Sequence, residues 1–272
     1  MDTILKLGAA AKQQGMSHGV ILMVEMGDMR EGVMPENLDE FAARVIATPG
    51  VALKGIAANF ACMDNVAPTA GDMAMLSRMA DQIEGACGPF VELVSGGGSA
   101  NLPWALGEDS SGRVNNLRLG ESILLGTDPV TGHPLSCLHT DAFALFAEVI
   151  ETRDKPSSIP PAPIAPELGK LYLVPNDDYT ARTILAVGQQ DTDVSDLTFP
   201  SGMRFIGATS DHTVVDTANS TVPVGSEMKM GMNYSALMRA MSAPDVAKTV
   251  HGKQKMNGGV KDCETQPYLT LV

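Results

Sequence analysis

Basic residues are the scarce class in this chain: 19 lysines and arginines stand against 32 aspartates and glutamates, a formal net charge of -13. Nucleic acid and anionic membrane both need a basic face, so neither is an expected partner. Cysteine is sparse as well. Cys62, Cys87, Cys137 and Cys263 are scattered without C-x-x-C spacing, which excludes a disulfide scaffold and reads as reduced thiols in a cytoplasmic protein. The five histidines show no H-x-x-x-H or H-E-x-x-H pairing, and no metal site is expected. Long apolar runs are missing too. Lys6 and Lys12 are interleaved with apolar residues at helical spacing, not gathered ahead of an apolar block, so neither a signal peptide nor a membrane span is read.

What is present is enough apolar material, 44% of 272 residues, to bury one large core or two smaller ones. The first half cycles between helix and strand patterns. Residues 2–14 read as an amphipathic helix with Ile4, Leu7 and Ala11 on one face and Gly8 beside them. Gly19 to Met26 is an apolar run of the kind buried on both sides. Asn37 can cap a helix from Leu38 to Ala47, which Pro49-Gly50 stops. A strand from Val51 to Asn59 follows. A helix from Asp72 to Ala86 then carries Leu76, Met79, Ala80 and Ile83, with Met75 beside them, its methionines read as core filler. Phe90 to Val94 reads as a third strand and Asn116 to Leu125 as holding a fourth. Strands alternating with helices imply parallel βα units, whose ligand-contacting residues gather at the strands' carboxyl ends. Four turns, Gly27 to Arg30, Asn59 to Met63, Ser95 to Ser99 and Arg118 to Glu121, would then converge on one mouth.

Between the third and fourth of these strands, Ser95-Gly96-Gly97-Gly98-Ser99 leads into Ala100-Asn101. Glycines let a backbone approach a ligand closely, and a helix start there would offer free N–H groups to a phosphate. The spacing is neither a dinucleotide fingerprint nor a P-loop. A plain tight turn and an anion cradle both remain open on this pattern alone. Past Gly126 the texture changes. His139 to Arg153 reads as a strand, followed by a Pro-rich loop from Pro156 to Pro166. Short strands follow at Lys170 to Val174, Arg182 to Val187, Arg204 to Ile206, Thr213 to Asp216 and Met228 to Met232. The stretch from His251 to Val272 is expected to be loosely attached.

These strand ends, taken in order, resemble those of the pyridoxal-phosphate-dependent alanine racemases, and more closely the branch that includes ornithine racemase. Val24-Glu25-Met26-Gly27-Asp28-Met29-Arg30-Glu31-Gly32 resembles V-D-x-G-D-x-R-E-G. Gly55 to Cys62 is similar to G-I-G-T-N-L-A-C, Val94 to Asn101 to V-S-G-G-N-S-A-N, and Asn116 to Gly126 to N-x-L-R-I-G-E-A-I-L-L-G. Thr140 to Phe143, Ile184 to Asp191, Gly207 to His212 and Gly231 to Tyr234 extend the likeness to about residue 250. The resemblance implies an α/β fold, the carboxyl-terminal half of a TIM-type (β/α)8 barrel followed by a mainly β domain. Its divisions would be 1–130 for the partial barrel (the equivalent of strands 5–8), 131–250 for the β-domain and 251–272 for a tail.

It also implies roles. The cofactor would be pyridoxal 5'-phosphate, with Arg118 facing its pyridine nitrogen, Ser99 and the backbone of Gly120 and Glu121 on its phosphate, and Tyr234 assisting. Asn59 takes the place of a ring-contacting histidine, and Arg30 that of an arginine near the phenolic oxygen. The substrate would be an amino acid, with a basic one such as ornithine among the candidates, and the assembly a homodimer. Inversion at an α-carbon needs two bases on opposite faces. In the family one is the cofactor lysine and the other a tyrosine of the partner subunit, whose place here falls at Gln189, an amide that cannot abstract a proton. Asp211 or His212 is the substitute, against the reading that this pair is an ordinary surface turn. The family's first strand, with its Schiff-base lysine, has no counterpart here. Lys54 lies at the wrong end of a strand, and Lys170 and Lys229 fall in the β-domain. The expectation is an amino-terminally truncated racemase; the alternatives are an inactive remnant or cofactor-binding protein that needs a partner chain, or another phosphate-handling βα enzyme.

Overall fold

Helix α1 (Asp2–Gln13) turns Ile4, Gly8 and Ala11 inward, whereas Leu7, expected on that face, is 36% exposed. Gly8 is what lets the helix sit close: a Cβ there would lie 2.7 Å from the Pro49 carbonyl oxygen. The computed structural model describes residues 1–63, 65–107, 112–136, 138–156, 179–218, 220–250 and 269–271, and the chain divides into two units, Met1–His139 and Thr140–Val272.

In the first unit, β1 (His18–Val24) is followed by α2 (Leu38–Ile46), β2 (Val51–Ala58), α3 (Ala70–Cys87) and β3 (Leu93–Ser95). The three strands form a parallel sheet in the order β1-β2-β3. The central strand is the most deeply covered, with Ile56, Ala57 and Ala58 all buried. Its facing helices supply Leu38, Ala42 and Val45 from α2 and Met73, Leu76, Met79, Ala80 and Ile83 from α3, the spacing that puts one helix stripe on a sheet. Met79 is core as read, but Met75 is 38% exposed. Helix α3 starts two residues earlier than its hydrophobic period suggests, because Thr69 and Asp72 form a capping box, and it ends on Gly88 in the left-handed region. Asn37 stands at the start of α2, yet its side chain makes no capping bond; a 3-10 turn, Pro35–Asn37, leads the chain in. The third strand is shorter than expected: Phe90 is exposed, with the Arg113 guanidinium 5.6 Å from its ring centroid.

The largest correction concerns Asn116 to Leu125, read as a fourth strand. A 3-10 turn at Ser99–Asn101 and the short helix α4 (Leu102–Ala105) follow β3, after which residues 115–118 run beside β3. They join it by Asn115 N–H to Val94 O, Gly96 N–H to Asn116 O and Arg118 N–H to Gly97 O, amounting to one parallel bridge, Ser95 to Asn116. The apolar run beyond is a helix, α5 (Glu121–Leu125), closed by Gly126 at φ 70°. A run of three apolar residues, Ile123 to Leu125, fits either period, and Gly120 and Gly126 bracket the segment as helix ends.

The second unit is built on β4 (Phe143–Pro156), whose second half pairs antiparallel with β5 (Tyr179–Leu185). β6 (Leu197–Thr198), β7 (Arg204–Ala208), β8 (Thr213–Asp216) and β9 (Glu227–Met232) follow. Next come a helix not foreseen from the sequence, α6 (Tyr234–Ser242), and strands β10 (Lys248–Val250) and β11 (Leu269–Leu271). The strand order is β10-β11-β4-β5-β8-β7, with β9 joining the first half of β4 to β6. Apart from Pro156 and the residues of β11, the expected Pro-rich loop, the strand Lys170 to Val174 and the tail from His251 lie outside the described residues. Among the described residues, no helix is long and apolar enough to cross a membrane, and no group of three or more His, Cys, Asp or Glu could hold a metal ion.

Candidate functional site

The turn after β1 is shaped by a carboxylate. Glu25, 8% exposed, accepts from the backbone N–H groups of Gly27 (3.0 Å), Met29 (2.8 Å) and Arg30 (2.9 Å), and Met29 is held at φ 47°. Asp28, buried in the same turn, accepts from Cys62 N–H at 2.8 Å and so ties it to the turn after β2. Burial acts to raise the Glu25 pKa, but the three N–H donors outweigh it and hold the carboxyl below its ordinary value. A depressed native pKa contributes stability that is complete above the unfolded value and is lost as pH falls through the native one. The turn is therefore expected to loosen as pH falls below the ordinary carboxylate range. The amide shifts of Met29 and Arg30 should titrate together there and stay flat in Glu25→Gln; pH-independent shifts in the parent would contradict the assignment.

Arg118 holds the centre. Its Nη1 donates to Ser95 Oγ at 2.5 Å, and Nη2 to the Ala58 carbonyl at 2.9 Å and to Asn59 Oδ1. Ser95 Oγ in turn donates to Asn116 Oδ1 at 2.7 Å. One guanidinium thus joins the ends of β2, β3 and the Asn116 segment, while its Nε has no partner among the described residues. Burial draws its pKa down, partly offset by the Glu31 carboxylate. Arginine keeps its proton under any such pull. Arg30 pairs with Glu31, through Nε and through Nη2 at 2.9 Å, and Asn59 Nδ2 donates to the same Glu31 at 2.7 Å.

Ser99, 9% exposed, has a hydroxyl oxygen on which three donors converge: Gly120 N–H (3.3 Å), Ser122 N–H (3.1 Å) and Ser122 O–H (3.1 Å). Behind the glycine turn, Asn101 is fully buried and donates to the Gly96 carbonyl at 2.7 Å. Glu121 is pushed up by burial and by the nearby Asp128.

The residues picked from sequence in the first unit, Arg30, Asn59, Ser99, Arg118, Gly120 and Glu121, therefore stand at the ends of its strands or on the turn that Ser99 engages. The sequence reading missed Glu25, Glu31 and Ser122, each of which lay inside a quoted motif. The signal was available for Glu25, the one acidic residue in the apolar run from Gly19 to Met26. The three lysines of this unit, Lys6, Lys12 and Lys54, lie on α1 and the amino-terminal half of β2, where Lys54 donates to Glu92 at 2.6 Å.

In the second unit, Asp211 and His212 sit on the exposed turn between β7 and β8, with Nδ1 to Oδ1 at 3.2 Å. Hydrogen bonds from Ser210 and Thr209 lower the Asp211 pKa. Gln189 N–H donates to Thr209 O, and a Cβ on Gly188 would lie 2.3 Å from Asp211 N, so the Gln189 loop packs against that turn. Tyr234 is the half-buried first residue of α6, whose start is capped by Asn233.

Residues 1–129 match the family model described as the alanine racemase N-terminal domain. The chain is 32% identical over 253 residues to an ornithine racemase from Acetoanaerobium sticklandii, covering 91% of this chain and 71% of that protein. It is 33% identical over 255 residues to a lysine racemase from Thermotoga maritima, covering 91% and 70%. Among solved structures it resembles the alanine racemase from Bartonella henselae with covalently bound pyridoxal phosphate, at TM-score 0.57 and 16% identity, covering 89% of this chain and 65%, under two thirds, of that one. The fold is thus that of a TIM-type half-barrel followed by a β domain, and the chain belongs to the alanine racemase-like, pyridoxal-phosphate-dependent amino-acid racemase family.

Proposed function

We propose that this chain supplies the cofactor-holding half of an amino-acid racemase acting on a basic amino acid such as ornithine or lysine, and that it works as a homodimer in the cytoplasm. The observation that carries the reading is the Arg118 cluster at the strand ends. The donor set fits pyridoxal phosphate. Three donors already gather on the single oxygen of Ser99, the arrangement an anion's oxygens accept, and Gly97 at φ 101° and Gly98 keep side chains off the turn. Ser99, Gly120 and Glu121, with Ser122 added, would hold the phosphate, assisted by Tyr234; Asn59 would contact the ring and Arg30 the phenolic oxygen. Arg118 Nε would serve the ring nitrogen, and a fixed cation there keeps that nitrogen without a proton of its own.

When bound, pyridoxal phosphate withdraws electrons from the α-carbon of a joined amino acid, so that its α-proton can leave. Inversion then needs one group to take that proton and a second to return one on the opposite face, with no net change in atoms. Asp211 or His212 is proposed as one of these groups. The lysine joined to the cofactor would be the other. None of Lys6, Lys12 and Lys54 stands at the strand ends, which supports a second reading: a cofactor-binding protein whose activity depends on a lysine from another segment or chain.

Visible absorbance of the full chain on adding pyridoxal phosphate, followed by chiral chromatography after incubation with L-ornithine, L-lysine and L-alanine, tests both. A spectral shift with racemisation of the basic substrates supports the first reading. A shift without turnover favours the second. Neither a shift nor turnover overturns both. In an active enzyme, Asp211→Asn and His212→Gln should each be assayed, and full rates in both would remove that pair from the reaction.

A further inference from the structure

We propose that Glu31 is a positioning residue that couples the two arginines of the site, orienting Arg30 directly and Arg118 through Asn59. The inference rests on the cofactor-site reading above and adds a residue to it. Both oxygens of the Glu31 carboxylate engage Arg30, and Oε1 also accepts from Asn59 Nδ2 at 2.7 Å. The opposite end of that amide is equally committed, since Asn59 Oδ1 accepts from Arg118 Nη2. The result is a continuous path, Arg30 to Glu31 to Asn59 to Arg118 to Ser95, that crosses from the turn after β1 to the ends of β2 and β3.

Two features make this more than a surface ion pair. Amide polarity is fixed at both ends: Nδ2 meets a carboxylate and Oδ1 meets a guanidinium, so Asn59 has one favourable orientation and transmits any change at Glu31. The Arg30 guanidinium is also planar, so the bidentate Glu31 carboxylate sets its tilt as well as its place, while Asn59 Oδ1 is one of three separate acceptors that hold Arg118. Bonding to Arg30 holds the Glu31 carboxyl below its ordinary pKa, and Glu31 in turn raises that of Arg30. The bridge therefore stays ionised through the neutral range. With both side chains near half exposed, at 44 and 48%, the pair adds little to fold stability, and its consequence is orientation.

The test compares the full chain with Glu31→Gln, Glu31→Asp and Asn59→Ala. Without any cofactor, the guanidinium nitrogen resonances of Arg30 and Arg118 should both shift in Glu31→Gln, although Glu31 does not touch Arg118. In Asn59→Ala, adding the Glu31→Gln change should move Arg30 alone. Resonances of Arg118 that ignore Glu31→Gln overturn the coupling, whatever the chain binds. With pyridoxal phosphate as the probe, Glu31→Gln should weaken binding roughly tenfold with an unchanged melting temperature, and Glu31→Asp should recover part of it. Equal affinity in Glu31→Gln also overturns the proposal. A parent chain that binds no pyridoxal phosphate counts against the cofactor-site reading instead, and the resonance comparison then decides the coupling alone.

Discussion

Arg118→Ala is expected to lower the affinity of the chain for pyridoxal phosphate, and any racemisation rate, by at least about 100-fold, the scale of removing one preorganised charged donor from a site. The reason is that one side chain serves three strand-end acceptors. Without it, Ser95 Oγ, the Ala58 carbonyl and Asn59 Oδ1 all lose a donor, and Ser95 is 1% exposed, out of reach of replacement water. The revealing comparison is Arg118→Lys. It keeps the charge but replaces a planar fork by a point donor that cannot meet three acceptors on two strand ends at once. The lysine variant is expected to stay within a few-fold of the alanine variant. Absorbance titration with pyridoxal phosphate beside a thermal melt checks this; near-parental affinity in Arg118→Lys would show that charge alone, and not the fork, is what the site requires.

Gly55→Ala should act on the fold itself. Gly55 pairs with Leu93 in the parallel ladder between β2 and β3, and an added Cβ would stand 2.2 Å from the Leu93 carbonyl oxygen and 3.0 Å from its carbonyl carbon. Those are backbone atoms, so no side chain can swing aside. The strands must part, and with them the ends that carry Asn59 and Ser95. A loss of about 3 kcal/mol follows from overpacking of this kind. For a chain of this size that lowers the melting temperature by roughly 10 °C. Gly85→Ala is the control, since it lies within α3 with no atom within 4 Å of its added Cβ. That variant is expected to gain about 0.5–1 kcal/mol through helix propensity. Calorimetric melts of the two variants should move in opposite directions; a Gly55→Ala protein as stable as the parent would mean the β2–β3 approach is looser than the structure has it.

The motif order, rather than any one motif, made the family legible in the sequence. Each strand end carries a few residues whose types follow from local need: Gly32, where a Cβ would meet Glu25 N at 2.7 Å, or Gly97 at a positive φ. Such needs leave marks on single positions. Helix α6 also carries local signals in its sequence. Asn233 is a capping residue, and Ala236, Leu237 and Ala240 make the buried stripe behind it.

By itself, the sequence determined the alternation of strand and helix in the first unit, three of the four parallel strands read from it, and the identity of the side chains placed at their carboxyl ends. Those follow from periodicity and turn chemistry, which act over a few residues and are written where they act. The tertiary structure alone decided that Glu121–Leu125 is helix and not strand. It also decided that Glu25 folds the first turn, that Ser122 joins Ser99, and that Glu31 and Asn59 link two arginines 88 positions apart. A carboxylate's partner is whichever donor the packed strands bring within about 3 Å. That distance depends on the approach of β1, β2 and β3 in space, which no local pattern encodes.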